Sequence, residues 1–330
     1  MDLKESFRGE LEGDRVIVKD SVESGKIHNK GSVGRFSGGM LVLTLTEAFY
    51  LINEGKLSVD GVSPYEFLKK AALSSGDFEV RYLTYRDLKK RGFIVEDTGI
   101  DMKIARGGED VKKAVVPLYE RVPFDFNGIY SMVSEEKKIF GIVDGDGDLT
   151  YYSIEREEPH GPIKALKEKI EITVLNEMAF TENNEIHRAY YGKTIDKWLQ
   201  LSIIESIYLV EKGIADIRDA LSEKISPEYL KRQAEKKDPE FMQKLKIYSD
   251  LRDRGLIVKT GFKYGTHFRV YVRDIEHHAP YLVHAVPDNY VGTWPEISRG
   301  VRLAHGVKKD FLLAEASDPP KYLKVKRVRL

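Results

Sequence analysis

Tyr271, the adjacent pair His277 and His278, and Lys309 are the residues of this 330-residue chain whose types together could do chemistry at an oxygen. A histidine donates a proton near neutral pH, a tyrosine oxygen serves as a base once its proton is drawn away, and a lysine supplies fixed positive charge. Such a set suits metal-free acid–base chemistry at a centre that gathers charge. With no cysteine in the sequence, thiol nucleophiles, zinc–thiolate sites and disulfides are excluded. Metal-assisted chemistry would need clustered carboxylates, and none converge near these residues with suitable spacing. No metal and no cofactor are therefore expected.

The chain carries its own control. Residues 248–258, Tyr-Ser-Asp-Leu-Arg-Asp-Arg-Gly-Leu-Ile-Val, repeat residues 85–95, Tyr-Arg-Asp-Leu-Lys-Lys-Arg-Gly-Phe-Ile-Val, with seven of eleven positions identical. Glu47–Gly55 matches Glu205–Gly213, Ser63-Pro64 matches Ser226-Pro227, Phe78 matches Phe241, and Lys137-Lys138-Ile-Phe140 matches Lys308-Lys309-Asp-Phe311. Two repeats are too few for a solenoid, so two related domains are expected, 1–156 and 172–330, with 157–171 as linker. The second divides into an N-terminal subdomain, 172–237, and a catalytic one, 238–330. Copy one lacks the chemistry. After Gly99 it reads Ile-Asp-Met-Lys-Ile-Ala105 with no histidine before His160, so Ala105 stands for Tyr271 and the histidine pair is missing. Lys138 stands where Lys309 does.

The elements that position these residues follow from periodicity. Residues 44–54 and 199–212 have helical apolar spacing and stop at Gly55 and Gly213. Ser63-Pro64 and Ser226-Pro227 read as a cap and first-turn proline of a second helix. Residues 78–91 and 241–254 form a third helix, stopped at Gly92 and Gly255. Strands are expected at Phe93–Val95, Leu149–Arg156, Leu256–Lys259, Phe268–Val272, Tyr281–Val286, Phe311–Ala314 and Tyr322–Arg329. A helix over Ile297–Lys309 would put Arg302 and Lys309 two turns apart on one face. The linker carries Pro159, Gly161 and Pro162 and a short charged helix candidate. The fold class is thus α+β (mixed α/β), a tandem duplication. Each repeat has a small helical/β N-terminal subdomain and a mixed-sheet C-terminal subdomain.

Composition sets further limits. The chain is 42% hydrophobic and 32% charged with zero net charge, enough apolar material for packed cores. No apolar run is long enough to span a bilayer and Met1-Asp-Leu-Lys-Glu shows no signal peptide, so a cytoplasmic protein without membrane partner is expected. Zero net charge argues against nucleic-acid binding on average, yet Lys321–Leu330 carries five basic residues and no acid. Its alternation predicts a strand with one buried and one cationic face, which copy one has lost.

The blocks Tyr-x-Asp-Leu-x-x-Arg-Gly-x-Ile-Val-Lys-Thr-Gly-Phe-Lys-Tyr-Gly, Phe-Arg-Val-Tyr271, His278-Ala-Pro-Tyr-Leu-Val and Arg302-Leu-Ala-His-Gly-Val-Lys-Lys309 resemble the archaeal tRNA-splicing endonucleases. The likeness is close over most of 172–330 and, through the duplication, reaches nearly the whole chain. It implies a nuclease-like C-terminal subdomain with Tyr271, His278 and Lys309 as catalytic triad. It also implies Arg302 and Arg327 as a pair that sandwiches a flipped base of the RNA. Within the pairs, His278 opens the Ala-Pro-Tyr-Leu-Val block and Lys309 shares a helical face with Arg302; the residues alone leave His277 and Lys308 open. His267, His284 and His305 read as structural or surface groups. One degenerate and one active repeat resemble the homodimeric subclass.

The resemblance implies attack of a ribose 2′-OH on the adjacent phosphate of precursor tRNA at a bulge-helix-bulge. Products would be a 2′,3′-cyclic phosphate and a 5′-OH. Asp144-Gly-Asp-Gly-Asp148 with Glu155 has part of a calcium-loop spacing, but Leu149 replaces the required glycine and strands flank it. In the family this is the acidic loop that docks on the opposing unit, which makes Asp144, Asp146 and Asp148 dimer contacts. The alternative to an enzyme is a non-catalytic RNA-binding or scaffold subunit.

Overall fold

A computed structural model describes residues 6–31, 33–107, 112–164, 166, 169–182 and 185–330. Contacts group the chain into two compact units. One comprises Met1–Pro123, Glu135–Ile154 and Arg327–Leu330; the other comprises Phe124–Ser134 and Glu155–Lys326.

In the second unit the first layer is a small sheet, strand order Lys193–Ile195, Trp198–Leu201, Met178–Thr181, Ile170–Leu175, Ala215–Arg218. The helix Ile203–Glu211 leaves it through a capping box. The Ser202 hydroxyl accepts from Glu205 N at 3.2 Å, and Glu205 Oε2 accepts from Ser202 N at 2.9 Å. This reciprocal pairing satisfies N–H groups that a helix start otherwise leaves open. Ile207, Leu209 and Tyr208 face the core. The helix ends where Gly213 adopts φ 69, a left-handed turn that glycine takes without steric cost. Helix Phe241–Asp253 then buries Phe241, Leu245, Ile247, Tyr248 and Leu251 against the following sheet.

That sheet runs Ile257–Thr260, Phe268–Tyr271, Tyr281–Val286, Asp310–Glu315, Lys321–Val328. Neighbours are antiparallel except Tyr281–Val286 and Asp310–Glu315, which are parallel and joined across helix Trp294–Gly306. The parallel pair is buried almost throughout; Phe311–Ala314 is an unbroken apolar run, and the other strand is interrupted at half-buried His284. The first unit repeats the scheme with Ile94–Asp97, Met102–Ala105, Lys113–Tyr119, Lys138–Val143 and Leu149–Arg156, and with the same directions. The α+β duplication is present as expected.

Three differences from the sequence expectations have physical causes. The helical/β N-terminal subdomains each carry a five-stranded sheet whose strands were not placed from sequence. Their strands, such as Arg15–Val18, are too short for period alone to separate them from loop. The described linker residues 157–164, 166 and 169 are not helical; the rest of the charged helix candidate, residues 165, 167 and 168, lies outside the described residues.

The third difference concerns register. In each unit the same aspartate, Asp87 or Asp250, accepts from a strand tyrosine, Tyr151 Oη at 2.7 Å or Tyr322 Oη at 2.5 Å. Each aspartate also accepts from an arginine Nε at 2.6 Å, Arg91 or Arg254. Tyr151 therefore corresponds to Tyr322. Tyr151 pairs with Gly141 and Tyr322 with Ala314, so Gly141 corresponds to Ala314 and Lys138 to Phe311. Counting back two residues brings Glu136, not Lys138, to the place of Lys309. Lys138 instead sits 3.7 Å from Asp101.

Candidate active site

Strand Phe268–Tyr271 pairs Ile257 with Tyr271, just as Ile94 pairs with Ala105 in the first unit. The alanine thus occupies the tyrosine's place. The Tyr271 ring is buried against Ile257 and Ala279, with Ile163 and Tyr190 beside it. Its hydroxyl makes no hydrogen bond among the described residues and is not among the fully buried unpaired atoms, so it reaches solvent. A fixed ring with an open oxygen is what a proton-handling tyrosine needs.

After Tyr271 the chain turns on Asp274. Its Oδ1 accepts from Glu276 N at 3.0 Å, from His277 N at 2.9 Å and from His277 Nδ1 at 2.7 Å. The His277 side-chain bond, with the backbone bonds behind it, holds the Asp274 carboxyl below the usual carboxylate range. His277 is thereby engaged in the turn. His278, the next residue, is exposed and makes no hydrogen bond among the described residues. The two histidines that sequence left open therefore part company here.

Helix Trp294–Gly306 ends before the lysines, which corrects the reason given for Lys309. Lys308 takes φ 55 and Lys309 N donates to Ala304 O at 3.0 Å, so neither residue belongs to a helical face shared with Arg302. Lys309 is instead selected by its contact. Its Nζ donates to Ala279 O at 2.8 Å, while Lys308 points into solvent. Ala279 is the hub. It packs on Tyr271, follows His278 in the chain, and accepts the Lys309 amine. Sequence reasoning passed over both this alanine and Asp274, although Asp-x-x-His is the spacing of a side-chain-closed turn.

Arg302 is exposed on its helix, donates to Ser298 Oγ at 3.2 Å, and lines a groove of about 280 Å³ with Pro295, Arg299 and Leu303. Arg327 is exposed on the last strand and belongs to the other unit. The cationic face expected on that strand is largely neutralised. Lys321 bonds Asn127 Oδ1 at 2.7 Å, Lys324 pairs with Glu155 at 2.8 Å and with Glu157, and Lys326 pairs with Asp310 at 2.9 Å. Arg327 and Arg329 stay exposed without an ion pair among the described residues.

In the first unit Asp144–Asp148 closes a hairpin. Asp144 Oδ1 accepts from Asp146 N at 3.0 Å and Asp148 N at 2.9 Å, which leaves Asp146 and Asp148 exposed. His267 and His284 stack at 4.2 Å, and His267 Nδ1 accepts from Ala285 N at 3.0 Å. Burial, reinforced by His284, pushes the His267 imidazole down to about 4, so the neutral ring is the folded form. These are structural groups. Among the described residues no helix is long and apolar enough to cross a membrane.

The profile of the tRNA intron endonuclease catalytic C-terminal domain matches residues 241–321. That of the tRNA intron endonuclease N-terminal domain matches twice, at 7–68 and 174–231. A tRNA-splicing endonuclease of Methanosarcina mazei is 34% identical, covering 98% of this chain and 99% of that protein. One of Methanococcoides burtonii is 32% identical, covering 94% of this chain and 96% of that protein. One of Thermococcus onnurineus is 40% identical over 45% of this chain and 90% of its own length. With matches running through both repeats and nearly end to end, the chain belongs to the tRNA intron endonuclease family, a family of RNA-cutting enzymes.

Proposed function

We propose that this chain excises introns from precursor tRNA by cutting at bulge-helix-bulge sites without a metal ion. The observation that carries the reading is the gathering of Tyr271, His278 and Lys309 around Ala279, in the one unit that has all three residues. Tyr271, as the phenolate left once its own proton has passed to solvent, accepts the proton of a ribose 2′-OH as that oxygen attacks the adjacent phosphorus. The P–O5′ bond breaks, and His278 delivers a proton to the departing oxygen. The Lys309 amine is held by one N–H on Ala279 O and keeps two donors for the charged phosphorane. The ends left are a 2′,3′-cyclic phosphate and a 5′-OH. Arg302 and Arg327 suit stacking on an unpaired base, since a guanidinium plane matches a base face.

The repeats serve different ends in this reading. Residues 1–156 are a degenerate copy, 157–171 a linker, 172–237 an N-terminal subdomain and 238–330 the catalytic one. An intron has two scissile bonds and the chain has one complete set, which favours a symmetric homodimer working in the cytoplasm. Asp146 and Asp148 are the exposed carboxylates for the dimer contact. Asp144 shares that loop but spends one oxygen on holding the turn.

The test is cleavage of a bulge-helix-bulge precursor tRNA in EDTA by the wild type and His278→Ala, with analysis of the ends. Cyclic-phosphate ends and a loss of about 10²–10⁴-fold in the variant support the reading. A wild type that binds the RNA without cutting it would make the chain a scaffold subunit, and cutting only with metal would overturn the mechanism.

A further inference from the structure

We propose that Phe262 is a stacking platform for an unpaired nucleobase, which makes the loop Gly261–His267 an RNA-binding element beside the cleavage site; this rests on the RNA-cutting reading above. The internal repeat supplies the first observation. Ile257 pairs with Tyr271 and Ile94 with Ala105, so the two hairpins start and finish alike. The connection between strands is seven residues, Gly261–His267, in the unit with Tyr271 and four, Thr98–Asp101, in the unit without it. The three additional residues accompany the catalytic set. They also bring Phe262, Lys263 and Tyr264, for which the short connection has no counterpart.

The loop is built to be stiff. Gly261 N donates to His267 O at 2.9 Å, Tyr264 N to Gly261 O at 2.7 Å and Gly265 N to Phe262 O at 3.1 Å. Phe262 N donates to Thr260 Oγ1 at 3.3 Å, and Thr266 Oγ1 to Phe268 O at 3.3 Å. Gly265 takes φ 63, and a Cβ on Gly261 would fall 2.5 Å from Thr266 Oγ1. Nevertheless Phe262 is 86% exposed. Burying a phenylalanine is favourable, and a loop free to fold over would cover it. Here the backbone hydrogen bonds hold the ring out.

The surroundings identify the occupant. Two residues along, the Tyr264 ring lies 6.0 Å from Lys309 Nζ. Gly265 abuts helix Trp294–Gly306, where a Cβ would stand 3.2 Å from Leu303 Cδ1, the residue after Arg302. On its other side Phe262 borders a cleft of about 520 Å³ lined by Lys193, Lys259, Thr260 and Gln200. The acid of that cleft, Glu205, is committed to Lys259 at 3.5 Å and to the helix cap. Lys263 is exposed beside the ring. An aromatic face with cations around it and few free carboxylates fits a base and its phosphate. Only an unpaired base offers its π-face, so the match is to bulged and not to fully paired RNA.

The test uses bulge-helix-bulge RNA with 2-aminopurine at each bulge position in turn, and fully paired RNA of equal length. Binding is measured for His278→Ala alone and combined with Phe262→Ala or Phe262→Trp. The expected result is a Kd for bulged RNA weakened about 5- to 150-fold by Phe262→Ala, the size of one base–aromatic stack. One bulge position should lose its fluorescence quenching, the paired RNA should bind as before, and Phe262→Trp should restore both. The proposal is overturned if Phe262→Ala leaves bulged RNA within twofold with quenching intact, or weakens paired and bulged RNA equally. Unchanged RNA affinity with altered sedimentation would assign the loop to a protein contact instead. Failure of the parent reading is separate, because it would appear as no cleavage by the wild type with Phe262 intact.

Discussion

Lys309→Met and Lys138→Met form a paired experiment that the duplication makes possible. Both lysines precede or open a strand ahead of a phenylalanine in a similar sequence, yet the sheet register makes Phe311, not Lys309, the counterpart of Lys138. Lys309 Nζ spends one of three N–H groups on Ala279 O at 2.8 Å, which fixes the ammonium without neutralising it. The Tyr264 ring at 6.0 Å adds little at that distance. Removing the amine costs one hydrogen bond to a charged donor in a half-buried setting, about 1–2 kcal/mol of stability. On the proposed mechanism it also removes the charge that stabilises the phosphorane, worth about 10²–10³-fold in rate. Lys138→Met loses a 3.7 Å pair with Asp101, under about 1 kcal/mol, and should leave the rate unchanged. Single-turnover cleavage at saturating enzyme reads the rates, and urea unfolding reads the stabilities. If Lys309→Met keeps its rate within threefold, or Lys138→Met loses as much, the register argument and the role given to Lys309 both fail.

Two further outcomes follow from the structure. Because the His267 imidazole is pushed down to about 4, the folded chain binds fewer protons than the unfolded chain between pH 6.5 and 4. Stability should therefore fall as pH drops through that window, by at most about 2 kcal/mol between pH 7 and pH 5. His267→Asn keeps an acceptor for Ala285 N, so urea midpoints at the two pH values should converge; an unaltered acid loss would refute the assignment. Charge reversal at Asp146 and Asp148 together should keep the circular dichroism and shift sedimentation from dimer to monomer. Asp144 is left alone because its Oδ1 holds two backbone N–H groups, and a dimer that survives the double reversal would remove the loop from the interface.

What sequence could and could not carry turns on particular residues. The helices were legible where a cap or glycine was read, as at Ser226 before Pro227 and at Gly213 with φ 69. The helix expected from 199, by contrast, is strand as far as Leu201 and begins only after Ser202, in its capping box with Glu205. Tyr271 against Ala105 was legible because an identical Ile-Val block fixes the neighbouring strand. Lys309 was assigned to a helical face because nothing local announces that Lys308, a side-chain-bearing residue, turns left-handed at φ 55. The correspondence of Lys138 was misread for a deeper reason. A strand repeats every two residues, so a slip of two leaves every side chain on its original face. The strands Lys138–Val143 and Asp310–Glu315 are also buried without alternation, over Ile139–Val143 in one and Phe311–Glu315 in the other, so burial does not mark the register either. Hydrophobic pattern cannot detect that slip, and the recurring Lys-Lys-x-Phe favours the wrong register. The register is fixed instead from outside the strand, by Tyr151 on Asp87 and Tyr322 on Asp250, across 64 and 72 residues of chain. Once these bonds set it, the first copy lacks the lysine as well as the tyrosine and the histidine.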